Sequence, residues 1–483
     1  MSLKLESQKR PGQVKMNSIY ESLSDYSSED VYPFHMPGHK RNVEFLSGEA
    51  SCLKDMYSID ITEIKGFDNL HDARGLIKLA EERASSLYGS LYTHFLVNGS
   101  TCGILSAISS VSKRGDTIII GRNCHKSVYH GIYLNGLKAR YLYPEYDEEY
   151  EILTKISPED VKKEIETAEK SGERICAVLI TSPSYDGISS DVKRIAEISH
   201  EHEIPLIVDA AHGAHFGFND NFPENAVNLG ADIVIHSVHK TMMAPTQTAL
   251  LHVCTKRIDN EKIKKYLGIY ETSSPSYPLM AGIDYSIAFM KNSGRDALQR
   301  VYENSERVKS ELKDLKHIKI YPYSEPGKLV ILIRDKAMNG RELADILRQK
   351  YKLEFEMAQG NYILAMLTQG DRHEGILRLI RALKETDEEL VDGKKASLPF
   401  LGNERPKEGM AFFEAFDGDS VIVDIKKAAG RIAADFINLY PPGSPLVVPG
   451  EVISKDLIVK ILSYLEKGYE FSGIKDNKVK VLI

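Results

Sequence analysis

The sequence predicts an α/β protein built on a largely parallel central sheet with helices on both faces, followed by smaller α+β units. Three observations carry that expectation. Short apolar runs alternate with amphipathic stretches between residues 93 and 253. Several of these runs end in chemically active residues, His125, Asp209 and Lys240 among them, and open α/β sheets bind ligands at the carboxyl ends of their strands. After Val253 the alternation gives way to one long helical stretch and a few separated strands, the pattern of a smaller α+β unit.

Composition narrows the function. The chain has 483 residues, 42% of them hydrophobic, enough for a large core and more than one domain. Charges of both signs are interspersed around a net charge of −7, and without a basic cluster a nucleic-acid partner is not expected. The five cysteines (52, 102, 124, 176, 254) show no CxxC spacing, so neither a disulfide framework nor a zinc site is expected. No apolar run approaches the roughly 18 residues of a membrane span. Met1 to Gly12 is polar and lacks the apolar centre of a secretory signal. A cytoplasmic protein without membrane contact is the expectation.

Taken in order, residues 1–32 read as a polar arm, with a short helix around Ser18 to Leu23, that needs another surface to order it. Phe34 to Lys40 contains a Pro-Gly turn flanked by His35 and His39. Residues 60–71 are loop-rich, and Gly75 to Tyr88 has a helical apolar face at Leu76, Ala80, Ala84 and Leu87. The strand Thr93 to Val97 runs into Asn98-Gly-Ser-Thr101 and an apolar helix from Cys102 to Val111. Free amides at a helix start, with the hydroxyls of Ser100 and Thr101, form an anion-binding arrangement. Thr117 to Gly121 is the next strand, and His125 lies just past its end, where its ring could stack on an aromatic ligand.

The alternation continues with a strand at Ala139 to Tyr143, a helix at Ser157 to Glu169 and a strand at Ile175 to Ile180. A helix at Val192 to His202 and a strand at Pro205 to Asp209 follow. Asp209 ends an apolar strand with no Arg or Lys beside it, and such a carboxylate is costly to bury without a cationic partner. Lys240 follows the apolar run Ala231 to Ile235, in a turn, and Met242 to Gln247 after it carry no charge. Burial disfavours the ammonium and prepares an amine to attack an aldehyde carbon. Ser237 and His239 stand beside it as donors to an anion. An amine, a carboxylate, a flat ring and anion donors at four strand ends suggest a pyridoxal phosphate (PLP) site.

The motifs HMPGHK (35–40), DITEIKGFDNLH (60–71), NGST (98–101), RNCHKS (122–127), SPSYDG (182–187), DAAHGAHF (209–216), HSVHKT (236–241) and YPPGSPLVVPGE (440–451) follow one another in the chain. In that order they resemble those of the prokaryotic ornithine/lysine/arginine decarboxylases, PLP enzymes of the aspartate-aminotransferase fold (fold type I). The chain looks like the short form, which lacks the extra N-terminal domain of the large members. The resemblance implies that Lys240 bears the cofactor, Asp209 pairs with its ring nitrogen and His125 stacks on the ring. It implies that Ser100, Thr101, Ser237 and His239 hold the phosphate, that Ser184 lies near the ring hydroxyl and that Glu451 meets the distal cation of the substrate. His212 falls where large members often carry Trp. The implied reaction is decarboxylation of a basic amino acid, arginine to agmatine first, with lysine or ornithine as alternatives and an aminotransferase as a rival. A homodimer or larger assembly is implied as well.

The expected organisation is an arm (1–32), a major domain (33–300), a small α+β domain (301–390) and a C-terminal unit (391–483). Within it, Ala281 to Leu315 reads as a long helix interrupted near Asn292-Ser-Gly294, and Glu385 to Gly409 as a linker. Strands are expected at 318–321, 329–333, 362–367 and 479–483, and helices at 340–349, 373–384 and 457–465.

Overall fold

Seven strands form the central sheet: β1 (Tyr92–Leu96), β2 (Thr117–Gly121), β3 (Lys138–Leu142), β4 (Ile175–Thr181), β5 (Leu206–Asp209), β6 (Ile233–His236) and β7 (Ala249–Val253). They lie in the order β1-β7-β6-β5-β4-β2-β3 in a computed structural model that describes residues 18–44, 46–334, 338–390, 401, 405–439 and 445–483. The pairs β2–β3, β2–β4, β4–β5 and β5–β6 are parallel; β7 runs antiparallel to both its neighbours, β1 and β6. The largely parallel sheet expected from the alternation is therefore present.

Its strands are apolar throughout because both faces are covered. Ile118, Ile120, Leu179, Ile207 and Ile235 point into one core, while Ile119, Val178, Ile180, Val208 and Val234 point into the other. The helix Gly99–Val111 lies close on the first of these faces. A Cβ added at Gly103 would stand 2.8 Å from Leu96 and 3.3 Å from Ile235, so the close approach needs a glycine. That approach sets the start of the helix directly beyond β1.

The helix Tyr277–Leu312 is 36 residues long and unbroken. The expected interruption at Asn292-Ser-Gly294 does not occur: a helical glycine costs only about 1 kcal/mol relative to alanine, and Gly294 is buried with Met290 packed over it. The helix also runs through residue 300, where a domain boundary was expected, and joins the large sheet to the small one. Its buried Asp284 accepts the Ile19 N–H at 2.7 Å and a two-pronged contact from Arg83. The helix Ile19–Ser27, closed by a Ser18/Glu21 capping box, is thus ordered by the chain's own long helix. Residues 1–17 of the expected arm lie outside the described residues.

The small sheet joins Ile318–Ile320, Lys328–Ile333, Tyr362–Met366 and Met357–Gln359 in antiparallel order. The last unit combines Ser420–Asp424 paired with Lys478–Leu482, a second small sheet and the helix Lys455–Glu466. Phe412, Phe436 and Val448 of this unit are buried in the same core as the central sheet. Most of the expected linker, and residues 440–444 of the YPPGSP stretch, lie outside the described residues. None of the described helices is long and apolar enough to cross a membrane.

Candidate active site

The carboxyl ends of β1, β2, β4, β5 and β6 converge on one cavity. Its lining includes Ser100, Thr101, Asn123, His125, Thr181, Tyr185, Asp209, His212, Ser237, His239 and Lys240. Of the residues singled out in the sequence, all but Ser184 and Glu451 meet here.

The anion end is built first. Buried Glu271 accepts the amides of Val97 and Asn98, at 3.1 and 3.2 Å, and fixes the chain as it leaves β1. Gly99 then turns with φ +72, a left-handed conformation that glycine adopts without strain. No side chain caps the helix that follows, so its first amides remain available to an anion. Ser100 and Ser237 bring their hydroxyls within 2.6 Å of each other across the same end. His239 lines the cavity too, but its Nδ1 donates to the Thr248 carbonyl at 2.9 Å. Burial lowers its pKa, so its Nε2 is an acceptor in the neutral ring and can donate to a phosphate only if the ring is charged.

His125 accepts the Ser127 amide at Nδ1 and so caps the helix Lys126–Asn135. Burial, then the charges of Lys240 and Lys126, push its pKa down to about 4, which leaves a neutral flat ring at pH 7. Asp209 is 3% exposed, and its Oδ1 accepts the Ala211 amide at 3.2 Å. Burial raises its pKa despite the nearby Lys240. Lys240 lies in a single helical turn, Val238–Thr241, just past the end of β6. Burial lowers its pKa, opposed by Asp209 and Glu356, and its Nζ stands 3.1 Å from His212 Nε2.

Two expectations are corrected by position. Ser184 does not line the cavity; its hydroxyl accepts the Ile188 amide at 3.2 Å and closes the SPSYDG turn. Thr181 and Tyr185, on either side of it, reach the cavity instead. Glu451 is 3% exposed and already has a cation of its own: Arg122 Nη2 lies 2.9 Å from its Oε2, which also accepts the Val448 amide. Arg122 is held in turn by the Tyr129 hydroxyl and the Leu446 carbonyl. A carboxylate so matched has no uncompensated charge to offer a substrate. Of the two histidines in HMPGHK, His39 contacts Asp60 at 3.1 Å and stacks on Tyr57.

Sequence reasoning missed Thr181, Tyr185 and Lys328. Lys328 opens an otherwise apolar small-sheet strand, is 1% exposed, and reaches His212 Nδ1 at 2.9 Å. A lysine leading the apolar run LVILI was the available signal.

An open α/β sheet that gathers an amine, a carboxylate, a neutral ring and anion donors at its strand ends has the make-up of an enzyme site, with groups suited to a ligand that carries an anion. The sequence profile of the Orn/Lys/Arg decarboxylase major domain matches residues 17–329, and that of the C-terminal domain matches residues 403–475. The chain belongs to this family and is a decarboxylase. It is 33% identical over 478 residues to the uncharacterized protein YaaO of Bacillus subtilis, covering 96% of this chain and 98% of that one. It is 30% identical over 485 residues to the arginine decarboxylase of the same organism, covering 96% of each. The solved lysine decarboxylase LdcF of Francisella novicida superposes with a TM-score of 0.83 at 20% identity, over 96% of this chain and 81% of that one.

Proposed function

We propose that this chain converts arginine to agmatine and CO2, using pyridoxal phosphate attached to Lys240. The observation that carries this reading is the presence, in one cavity, of a desolvated amine and a buried carboxylate with a single backbone hydrogen bond. The residues fit the cofactor. Ser100, Thr101 and Ser237, with the first amides of their helix, would hold the phosphate. The Thr181 hydroxyl, buried without a partner, is free to meet a ring substituent. Asp209 would hold a proton on the ring nitrogen and gain the cation it lacks.

When bound, the cofactor supplies an electron sink for the pair left on Cα as CO2 departs. The chain's own residues do the rest. Asp209 keeps the ring nitrogen protonated, and the neutral His125 ring offers a flat face without repelling that charge. Lys240, whose ammonium is disfavoured by burial, is a stronger acid than an exposed lysine and suits the return of a proton to Cα. An aminotransferase would need a small-domain arginine free to grip the substrate α-carboxylate. The cation that the small sheet sends to this site is Lys328, which is already engaged by His212.

Arginine is favoured over lysine and ornithine by the full-length relative that carries the arginine decarboxylase name. Product analysis with all three amino acids is expected to give agmatine with kcat/KM at least about tenfold above the other two. Faster formation of cadaverine or putrescine would overturn the substrate while leaving decarboxylation intact.

A second copy of the chain is proposed as the partner. Tyr32, Phe34 and Met36 are 72%, 90% and 65% exposed, an apolar stretch of the kind that marks a contact surface. Sedimentation at assay concentrations is expected to give a dimer or larger; a fully active monomer would contradict it.

A further inference from the structure

His212 stands between two lysines. Its Nε2 is 3.1 Å from the Nζ of Lys240, and its Nδ1 is 2.9 Å from the Nζ of Lys328. The ring is 5% exposed and is packed edge-on against Tyr185, with centroids 4.8 Å apart. Burial, followed by the charge of Lys328, keeps it neutral. A neutral imidazole has one N–H and one lone pair, an ammonium can only donate, and a neutral amine can accept. Both contacts are therefore satisfied in only two ways. Either Lys328 donates to Nδ1 and Nε2–H donates to a neutral Lys240, or the roles are reversed.

The surrounding charges choose between them. Lys328 faces Glu325, Glu356 and Asp186, and its Nζ lies 5.6 Å from the centre of the Tyr185 ring. Glu325 is 5% exposed; its Oε2 accepts the Gly327 amide and lies 3.4 Å from His215, while its Oε1 is buried without a partner. Lys240 faces Asp209 and Glu356 among acids, with His125, His212, His239 and Lys328 itself as its other titratable neighbours. Three acids face Lys328 against two for Lys240, and burial draws one of those two, Asp209, towards its neutral form. The positive charge thus belongs on Lys328.

We propose that Lys328 is a positioning residue for Lys240: reaching in from the small sheet, it fixes the His212 proton on Nε2 and so holds the Lys240 amine as a free base. The proposal rests on Lys240 being the cofactor's attachment point, since that is where a free-base amine is needed. The burial that brings Lys328 down to about 8 leaves it a cation at neutral pH.

The test reads the amine itself. Cofactor-free protein is treated with trinitrobenzenesulfonate across a pH series, and modification of Lys240 is quantified by peptide mass spectrometry. Wild type is expected to titrate below the ordinary lysine value of about 10.4. In Lys328→Met, His212 is released to present a lone pair to the Lys240 ammonium. The midpoint should rise by at least one pH unit, and labelling at a fixed pH below it should fall about tenfold. His212→Phe removes the Nε2–H donor and should raise the midpoint as well. The double variant should shift no further than His212→Phe alone, because the effect of Lys328 travels through the ring. A Lys328→Met profile that superimposes on wild type overturns the proposal. So does a Lys328→Met shift that persists in the His212→Phe background, which would mean charge acting through space. Circular dichroism checks folding; if Lys328→Met does not fold, an unchanged His212→Phe profile is sufficient to overturn it. Borohydride reduction of PLP-loaded wild type maps the attachment separately, so an adduct on another lysine would sink the reading of Lys240 without being confused with either result.

Discussion

Lys240→Ala is expected to abolish the covalent cofactor adduct and to lower decarboxylation by at least roughly 10²–10⁴-fold, the range for loss of one positioned acid–base group. The substitution removes the attachment point and the proton donor together, and no other lysine is among the described residues that line the cavity. Lys328 is already bonded to His212, and Lys126 starts a different helix. Wild type loaded with PLP should show a visible band that borohydride erases, with the reduced adduct on Lys240. In Lys240→Ala the cofactor should be removable by dialysis. Retention of a borohydride-stable adduct would move the attachment to another lysine and remove the basis for the site as assigned.

Asp209→Asn should act in opposite directions on the loaded and the empty protein. On the proposed reading the carboxylate would be the bound ring nitrogen's counter-ion, and truncating one partner of a buried charge pair costs about 2–5 kcal/mol. Activity should fall roughly 30- to 5000-fold on that scale. Without the cofactor, the same carboxylate is buried with one amide as its hydrogen-bond donor and the Lys240 amine nearby, and burial outweighs both. Burial raises its folded pKa above the ordinary aspartate value of 3.8, so the folded state binds the proton more tightly than the unfolded chain. Its favourable contribution is complete below 3.8 and is lost as pH rises through the higher folded value. At neutral pH the cofactor-free Asn variant should therefore melt above cofactor-free wild type, with the gap closing on acidification. Equal melting temperatures at pH 7 would show that Asp209 has a counter-charge within the chain.

The sheet was legible because burial on both faces leaves a strong signature. Ile118 to Ile120 or Leu206 to Val208 cannot alternate with polar residues when each side meets a core. The cavity was legible for a related reason: each strand end delivers its next few residues to one edge, so Ser100, His125, Asp209 and Lys240 are placed by local order alone. Contacts made across the chain were not legible in this way. Lys328 meets His212 over 116 positions, and Arg122 meets Glu451 over 329, through docking of units whose relative placement no local pattern specifies. The setting of Glu451 was hidden for that reason. A carboxylate after a Pro-Gly turn looked available because its partner was hidden in RNCHKS. The unbroken helix Tyr277–Leu312 failed the reading differently: Asn-Ser-Gly is a poor helix former, but burial along the helix outweighs local propensity.

The Arg122–Glu451 pair also bears on modularity. Arg122 belongs to the loop after β2, beside the cavity, whereas Glu451 and the Leu446 carbonyl belong to the C-terminal unit. A fragment ending before residue 403 would keep the guanidinium with only the Tyr129 hydroxyl of those three partners, and would also uncover the core that Phe412, Phe436 and Val448 close. In the intact chain, losing the Glu451 carboxylate alone would leave that cation buried without its counter-charge, at a cost of about 3–5 kcal/mol, a large share of the stability of an ordinary domain. The terminal eighty residues or so are accordingly no accessory: they close the core of the four hundred before them and complete its charge balance.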